Sequence, residues 1–216
     1  MGDPALQRLT SSGSSTYWTV QSDYTSPVGK GKFESGLRAA VRDNKNVNDN
    51  AAFDYDLNKF IIIPSASSNY KYTDEVYAAY STYSNKLGEN FSYQLGLRAE
   101  SSQYRGTLLS TGETFSNKYP IEFFPSVFVT QTLSPGQDMQ LNYSRRINRP
   151  NFWQQIPYYD VSDLLNIRVG NPGLKPEFTN SFELNYSKSL GSGHSLLTSA
   201  YFKQTNNLIT NYQSRQ

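Results

Sequence analysis

The residue types that usually carry out chemistry in proteins are scarce in this sequence. It contains no cysteine and a single histidine, His194, which follows a Gly-Ser-Gly turn with no carboxylate nearby. Disulfides and thiolate metal sites are therefore excluded. No serine-centred nucleophile motif is present either. We expect no catalytic residue, no bound cofactor and no metal ion, and we do not expect the protein to be an enzyme.

One acidic stretch has some likeness to a calcium loop. The segment Asn44–Asp56 contains Asp49, Asp54 and Asp56 among several asparagines. It lacks the spacing that ends in a glutamate in an EF-hand. The pattern favours a solvated loop, and calcium binding is the alternative.

A second stretch, Asn151–Asp160, combines aromatic and amide side chains. Aromatic rings beside amides can stack on a sugar ring or a chelate. Alternatively, they pack a long loop against its neighbours, since such a loop needs a core of its own. The candidates for ligand contact in this loop are Phe152, Trp153, Gln154, Tyr158 and Tyr159.

A third stretch, YSRRINRP (Tyr143–Pro150), places Arg145, Arg146 and Arg149 close together. A nucleic-acid patch, a solvated face and a membrane boundary could each explain the charge. The net charge of only +2 argues against nucleic acid, whose binders usually show a strong basic excess. The 17 tyrosines and 12 phenylalanines, with a mean hydropathy of −0.63, suit a surface with one apolar and one wet face.

Apolar and polar residues alternate along much of the chain. In Phe91–Glu100 every second residue is apolar, and Phe33–Asp43 and Met139–Arg146 repeat the pattern. Strand side chains alternate between faces with period two, so these are predicted half-buried strands. We predict an all-β, antiparallel meander of about eight strands, near residues 15–25, 32–43, 70–85, 90–105, 118–134, 137–149, 177–190 and 194–206.

The connections between these strands alternate in length. SPVGKG, KLGE, SPGQ and GSGH are short and contain glycine, whereas those near residues 44–69, 106–117 and 150–176 are long. An up-and-down meander then has all short turns at one end, as outer-membrane barrels do. No apolar run approaches the ~18 residues of a membrane helix.

The charged residues support a water-filled interior. A soluble core could not bury such a row of ions without a large penalty, whereas a barrel lumen can hold them. In the third stretch, Arg146 then faces the lumen, Arg145 lies at head-group height, and Arg149 and Pro150 open a long loop. The charges expected to face the lumen are Arg38, Arg98, Glu100, Arg146 and Glu183.

The stretch from Gln140 to Lys188, with YAAYSTYSNKLG and LGLRAE, resembles the barrel domain of TonB-dependent receptors of the type abundant in Bacteroidota. The glycines and prolines of GNPGLKPEF favour a rigid turn, with ligand contact as the alternative. The residues that carry the resemblance are Arg145, Arg146, Arg149, Pro150, Gly170, Asn171, Pro172, Leu174, Lys175, Pro176 and Glu177.

The resemblance implies a segment of a plugged barrel of about 22 strands. Such a receptor lies in the outer membrane of a Gram-negative bacterium and takes up a scarce nutrient of the siderophore, glycan, peptide or cobalamin class. Its partners would be outer-membrane lipid, a plug domain, the remaining strands, TonB through the plug, the nutrient and a surface lipoprotein, but not nucleic acid.

We expect residues 1–14 to form a flexible segment and residues 15–216 to form part of the barrel. The sequence contains no plug, no TonB-binding segment and no C-terminal aromatic strand, which is typical of a middle piece. Its sheet should be open and curved, with unpaired end strands. The alternative is a complete small barrel with a structural or adhesive role, because eight strands can close.

Overall fold

The computed structural model describes residues 4–157, 159 and 166–213, and this part of the chain is almost entirely strand. No helix in it is long and apolar enough to cross a membrane. A 3₁₀ turn spans Pro64–Ala66, and α1 spans Phe152–Gln155. The strands are β1 (Gln7–Val28), β2 (Gly31–Asp54), β3 (Lys59–Ile62), β4 (Ser68–Leu87), β5 (Phe91–Leu108), β6 (Thr114–Ser134), β7 (Gln137–Asn148), β8 (Glu177–Gly191) and β9 (His194–Asn206).

All the strands belong to one antiparallel sheet. Its order is β1-β2-β4-β5-β6-β7-β8-β9, and β3 pairs with the far end of β2. β1 and β9 are the edges of this order, so within the described residues the sheet stays open. The prediction of an all-β, open antiparallel meander is confirmed.

The first two strands are longer than the sequence predicted. β1 begins at Gln7, inside the segment expected to be flexible, and Gln7–Ser14 pairs with Lys45–Ala52. β2 continues to Asp54, so most of the predicted acidic loop is strand, and β3 folds back against it. Backbone hydrogen bonding needs no apolar side chains, so these Ser-, Gly- and Asn-rich segments extend the sheet without alternation.

One face of the sheet, here called the outer face, carries a band of exposed apolar side chains. Cross-strand partners share a face, and the register joins Val20 to Ala39, Ala39 to Tyr77, and Leu95 to Val127. We call this band the apolar belt. Its exposed large members include Trp18, Val20, Leu37, Tyr77, Leu95, Leu97, Leu141, Phe182, Leu184 and Phe202.

The opposite, inner face carries the buried core. Tyr70, Tyr72 and Tyr104 lie on it and are each less than 9% exposed. Ile156, from the loop that follows β7, is 2% exposed and belongs to the same cluster, and Phe152 packs against it. The long loop between β7 and β8 therefore folds back over the inner face.

A β-bulge in β6 keeps this core together. Glu100 pairs with Glu122, but Ser102 pairs with Tyr119, so β6 has one extra residue at this point. The extra length includes Pro120, and proline within sheets is confined to edges and bulges because it has no N–H to donate. As a result, both Tyr119 and Glu122 face inward.

Candidate functional site

A charged cluster occupies the middle of the inner face. Glu100 is 7% exposed and accepts a hydrogen bond of 2.7 Å from Arg98 Nε. Arg149, which follows β7, pairs with the other carboxylate oxygen of Glu100, and its Nε donates to Ser102 Oγ at 2.8 Å. The start of the long loop is thereby fixed to the wall of the sheet.

Two further arginines beside this cluster share one tyrosine. Arg38 Nη2 donates to the Tyr17 hydroxyl at 3.0 Å, and the Arg42 guanidinium lies 5.3 Å from the centre of the same ring. Neither arginine has an ion pair with another described residue. Tyr17 was not predicted from the sequence, although it shares strand parity with the polar positions of β1.

These groups line a cavity of about 220 Å³. It contains four arginines and two carboxylates, so the positive charges exceed the negative charges by two (4 − 2). Such a cavity can bind an oxyanion through charge-assisted hydrogen bonds. The ionisable residues that line it are Arg38, Arg42, Arg98, Arg149, Asp74 and Glu100.

The register places all five charges predicted to face the lumen on the inner face. Arg98 and Glu100 form an ion pair, as described above. Arg146 lies opposite Thr179 and Glu183 opposite Asn142, and neither has an ion pair with another described residue. The structure therefore brings Arg38, Arg98 and Glu100 together and leaves Arg146 and Glu183 apart from them.

The aromatic loop is built around α1. Asn151 caps the helix through its hydrogen bond with the Gln154 backbone, and the Gln154 side chain binds back to the Asn151 N–H. The Phe152 ring stacks on Tyr70 with centroids 4.1 Å apart and lies edge-on to Tyr72 at 5.0 Å. Phe152 and Gln154 therefore hold the loop together, which agrees with the packing interpretation of these two residues.

Two other candidates keep accessible rings. Trp153 is 53% exposed, with only edge-on contacts to Tyr70 and Phe152, and Tyr159 is 63% exposed. Both rings are accessible to a ligand, and Trp153 lies beside Tyr70 of the inner face. Tyr158 lies outside the described residues.

The GNPG segment (Gly170–Gly173) is joined by backbone hydrogen bonds to α1 and to the residue that follows it. Gly170 N donates to Ile156 O at 3.0 Å and Asn171 N to Gln154 O at 2.7 Å. A β-carbon at Gly170 would lie 2.6 Å from Ile156 O and 2.8 Å from Trp153 O, so only glycine permits this approach. This geometry agrees with the rigid-turn interpretation of the motif.

Tyrosines of the inner face bind the carbonyl groups of the same segment. Tyr104 donates to Pro172 O at 3.4 Å and Tyr119 to Leu174 O at 3.5 Å. Tyr104 lies beyond the apolar belt, where its outer-face neighbours on β5 are Gln103 and Arg105. Burial raises the pKa of Tyr104, so the hydroxyl retains the proton that it donates.

The end of the motif is fixed by hydrogen bonds at the start of β8. The Glu177 carboxylate accepts from Asn148 Nδ2 at 2.7 Å and from Ile209 N at 2.6 Å. Asn207 Nδ2 donates to Pro176 O at 3.3 Å. The hydrogen bond from Asn148, followed by that from the Ile209 backbone, lowers the pKa of Glu177. Lys175 is exposed.

Arg145 fills a gap between β6 and β7. These strands pair only as far as Ser126 and Ser144. Residues 114–125 of β6 therefore have no partner strand on that side among the described strands. Arg145 Nη1 donates to Phe123 O at 3.4 Å, and the guanidinium lies 3.6 Å from Glu122 and 4.8 Å from the Phe178 ring centre. Its contacts are thus with the sheet, a role that strand parity did not reveal.

Comparison with known proteins is consistent with this architecture. The sequence model of the outer membrane protein beta-barrel family matches residues 2–216. No curated protein sequence matches the chain. The fold is similar to that of the copper transporter OprC, with a TM-score of 0.68 at 13% identity over 91% of this chain and 31% of that protein.

Two other solved structures show the same likeness. The unliganded ferric citrate transporter FecA has a TM-score of 0.65 at 14% identity over 96% of this chain and 30% of its own. The siderophore receptor PiuA from Acinetobacter baumannii has a TM-score of 0.63 at 14% identity over 88% of this chain and 32% of its own. The chain thus spans about a third of the length of these proteins.

Proposed function

The chain belongs to the outer membrane protein beta-barrel family, and from this we propose that it is one part of the wall of a TonB-dependent receptor. The receptor lies in the outer membrane of a Gram-negative bacterium and takes up a scarce nutrient. The observation that carries the proposal is the open sheet. β1 and β9 are each bonded on one side only, so the described residues form a wall that needs further strands to close.

The open sheet disfavours the main alternative. A complete eight-stranded barrel would require hydrogen bonds between β1 and β9, since closure is what removes the edges. Both edge strands are also highly exposed along most of their length. Further strands of the same receptor would pair with them.

The inner face favours an anionic nutrient. Arg38 and Arg42 contribute to the positive excess of the cavity, and Trp153 and Tyr159 offer exposed aromatic surface on the loop that begins at Arg149. A metal chelate with carboxylate groups matches both features, because arginines bind oxyanions and aromatic rings stack on flat ligands. Among the similar structures, the ferric citrate transporter and the siderophore receptor agree with this nutrient class.

The remaining partners belong to the same proposal. A plug domain would face the inner wall and transmit the action of TonB, and outer-membrane lipid would surround the apolar belt. A surface lipoprotein would act at the end of the barrel that carries the long loops. These partners account for both faces of the sheet.

Nutrient uptake tests the proposal. A strain in which the whole gene is deleted is supplied with one nutrient at a time: ferric citrate, a ferric siderophore, a glycan, a peptide or cobalamin. We expect the uptake of one anionic metal chelate to fall in this strain and in a strain without TonB. Uptake of every nutrient at the parental rate, or uptake that persists without TonB, would contradict the proposal.

Variants then test the inner cavity in the complete receptor. Arg38→Gln and Arg42→Gln should raise the half-saturating concentration of the chelate about tenfold together, because each removes a charged partner worth about 1.5–3 kcal/mol in a protected site, less in an open one. Lys30→Gln, in the short turn between β1 and β2, is the control and should leave uptake unchanged. An equal effect of all three variants would assign the chelate to another site.

A further inference from the structure

A row of basic side chains lies on the outer face just beyond the apolar belt. The register places Lys45 on β2 directly opposite Lys71 on β4. Gln103 on β5 lies opposite Lys118 on β6, and Arg105 follows on the same face of β5. We call Lys45, Lys71, Arg105 and Lys118 the basic patch, and all four are exposed.

The carboxylates near the basic patch are already engaged. Glu75 accepts hydrogen bonds from Arg105 at 2.9 Å and Gln103 at 2.6 Å, and Asp43 accepts one from Thr73 at 2.6 Å. The three lysines have no ion pair with any described residue. Like charges directly opposite each other on a sheet are destabilising, and opposite side chains start about 5 Å apart. One anion between Lys45 and Lys71 would relieve that repulsion.

The height of the patch matches a membrane surface. Lys45 is four residues beyond Val41, with which the continuous outer-face run Leu37, Ala39 and Val41 of β2 ends, and this is about 13 Å along the strand. With a strand tilt of about 40°, this is roughly 10 Å above the belt. Head groups occupy the outermost ~5–8 Å on each side of the hydrocarbon, and a flexible lysine can reach back to them.

We propose that the basic patch binds the phosphate groups of the lipid that forms the outer leaflet of the membrane. The patch lies at the end of the sheet that carries the long loop between β7 and β8, which is the extracellular end in the proposed function. Its position on the lipid-facing side, directly above the apolar belt, favours a phosphate attached to acyl chains over a phosphate in solution. The inference rests on the orientation of the barrel in the proposed function.

Binding to purified lipid tests this inference. The complete protein is purified in detergent and titrated with lipid A carrying both phosphates, with the same lipid after removal of its phosphates, and with inorganic phosphate as a competitor. Lys71→Gln should weaken binding of phosphorylated lipid A about fivefold, which corresponds to about 1 kcal/mol per basic residue near an anionic surface. The double variant Lys45→Gln/Lys71→Gln should weaken it roughly 25-fold.

The matched control is Lys188→Gln. Lys188 is an exposed lysine on the outer face at the opposite, short-turn end of the sheet, where Gln137 lies opposite it. This variant should bind lipid A as the wild type does. The variant Lys45→Arg/Lys71→Arg, which keeps both charges, should also retain binding and shows that loss in the glutamine variants is not a folding defect.

Four results would overturn the inference. They are no binding of lipid A by the wild type, wild-type binding by the double glutamine variant, equal binding of the dephosphorylated lipid, and displacement by inorganic phosphate at millimolar concentration, which would indicate a site for the free ion. If lipid A does not bind, the nutrient-uptake experiment in cells still tests the proposed function. The lipid site and the proposed function are therefore tested separately.

Discussion

Replacing Gly170 with alanine should loosen the loop that carries the aromatic candidates. The new β-carbon would lie 2.6 Å from Ile156 O, against an ordinary contact of at least 3.4 Å, so a shift of about 0.8 Å is needed (3.4 − 2.6). The obstructing atoms belong to the backbone of α1 and its C-terminal neighbour. They cannot rotate away as a side chain would, so α1 or the GNPG segment must move.

The magnitude follows from the contacts that such a shift disturbs. The hydrogen bonds from Gly170 N to Ile156 O and from Asn171 N to Gln154 O each contribute about 0.5–1.5 kcal/mol net. Overpacking adds about 1–3 kcal/mol. We expect closure of the loop to weaken by about 2–4 kcal/mol, which is at least thirtyfold because each 1.4 kcal/mol is a factor of ten.

Hydrogen exchange of the complete protein measures this change locally. The amides of Gly170 and Asn171 should exchange at least ~30-fold faster in Gly170→Ala, whereas amides in the middle of β5 should be unaffected. The matched control is Gly173→Ala in the same motif, where the nearest atom to a new β-carbon is the side-chain oxygen of Asn171 at 3.2 Å. If both variants exchange alike, or if Gly170→Ala exchanges as the wild type does, the close approach does not hold the loop.

Three further predictions concern the faces of the sheet, the loop that Arg149 fixes to it, and the orientation of the barrel. Leu95→Arg, on the outer face, should make the free energy of assembly less favourable by about 2–4 kcal/mol, whereas Gln94→Arg, on the inner face, should have a mild effect. Heat-modifiable mobility on gels measures assembly, and an equal loss in both variants would refute the assignment of faces. Arg149→Gln should lower the free energy that keeps the loop closed against proteolysis by about 2 kcal/mol, because buried Glu100 loses a charged partner. The control Arg146→Gln should leave the rate of proteolysis unchanged, and equal effects of the two variants would contradict the role of the cluster. A protease site in the turn between β2 and β3 should be cut on intact cells and one in the turn between β6 and β7 protected, and the reverse result would invert the orientation.

The strands and their faces could be predicted from the sequence because side-chain direction in a strand has a period of two. Wherever one face is apolar, that period distinguishes Leu95 from Gln94 without any knowledge of neighbouring strands, and a register slip of one residue would exchange the faces. The bounds of β7 and β9 agree with prediction within about one residue for the same reason. The short glycine-containing turns also predicted the strand order of the meander, because antiparallel strands joined by a short turn are neighbours in the sheet.

Prediction failed where alternation was absent. Gln7–Ser14 and Lys45–Asp54 are strand, yet their side chains carry no apolar period, since both segments lie beyond the apolar belt where neither face must be apolar. Their pairing depends on backbone hydrogen bonds to each other, which become available only when the rest of β1 and β2 is already aligned. The sequence indicated the core of each hairpin but not its extension.

The arrangement of the loop was decided by tertiary structure alone. Arg149 reaches Glu100 across 49 residues of sequence, and Phe152 stacks on Tyr70, which lies on a strand that is not a neighbour of β7. No local period encodes such contacts, because they depend on where a long loop returns over the sheet. The sequence by itself determined a two-faced antiparallel wall and the residue types available to it. Only the fold determined that Phe152 is packed, that Trp153 is left accessible, and that the arginines of two strands and a loop meet in one cavity.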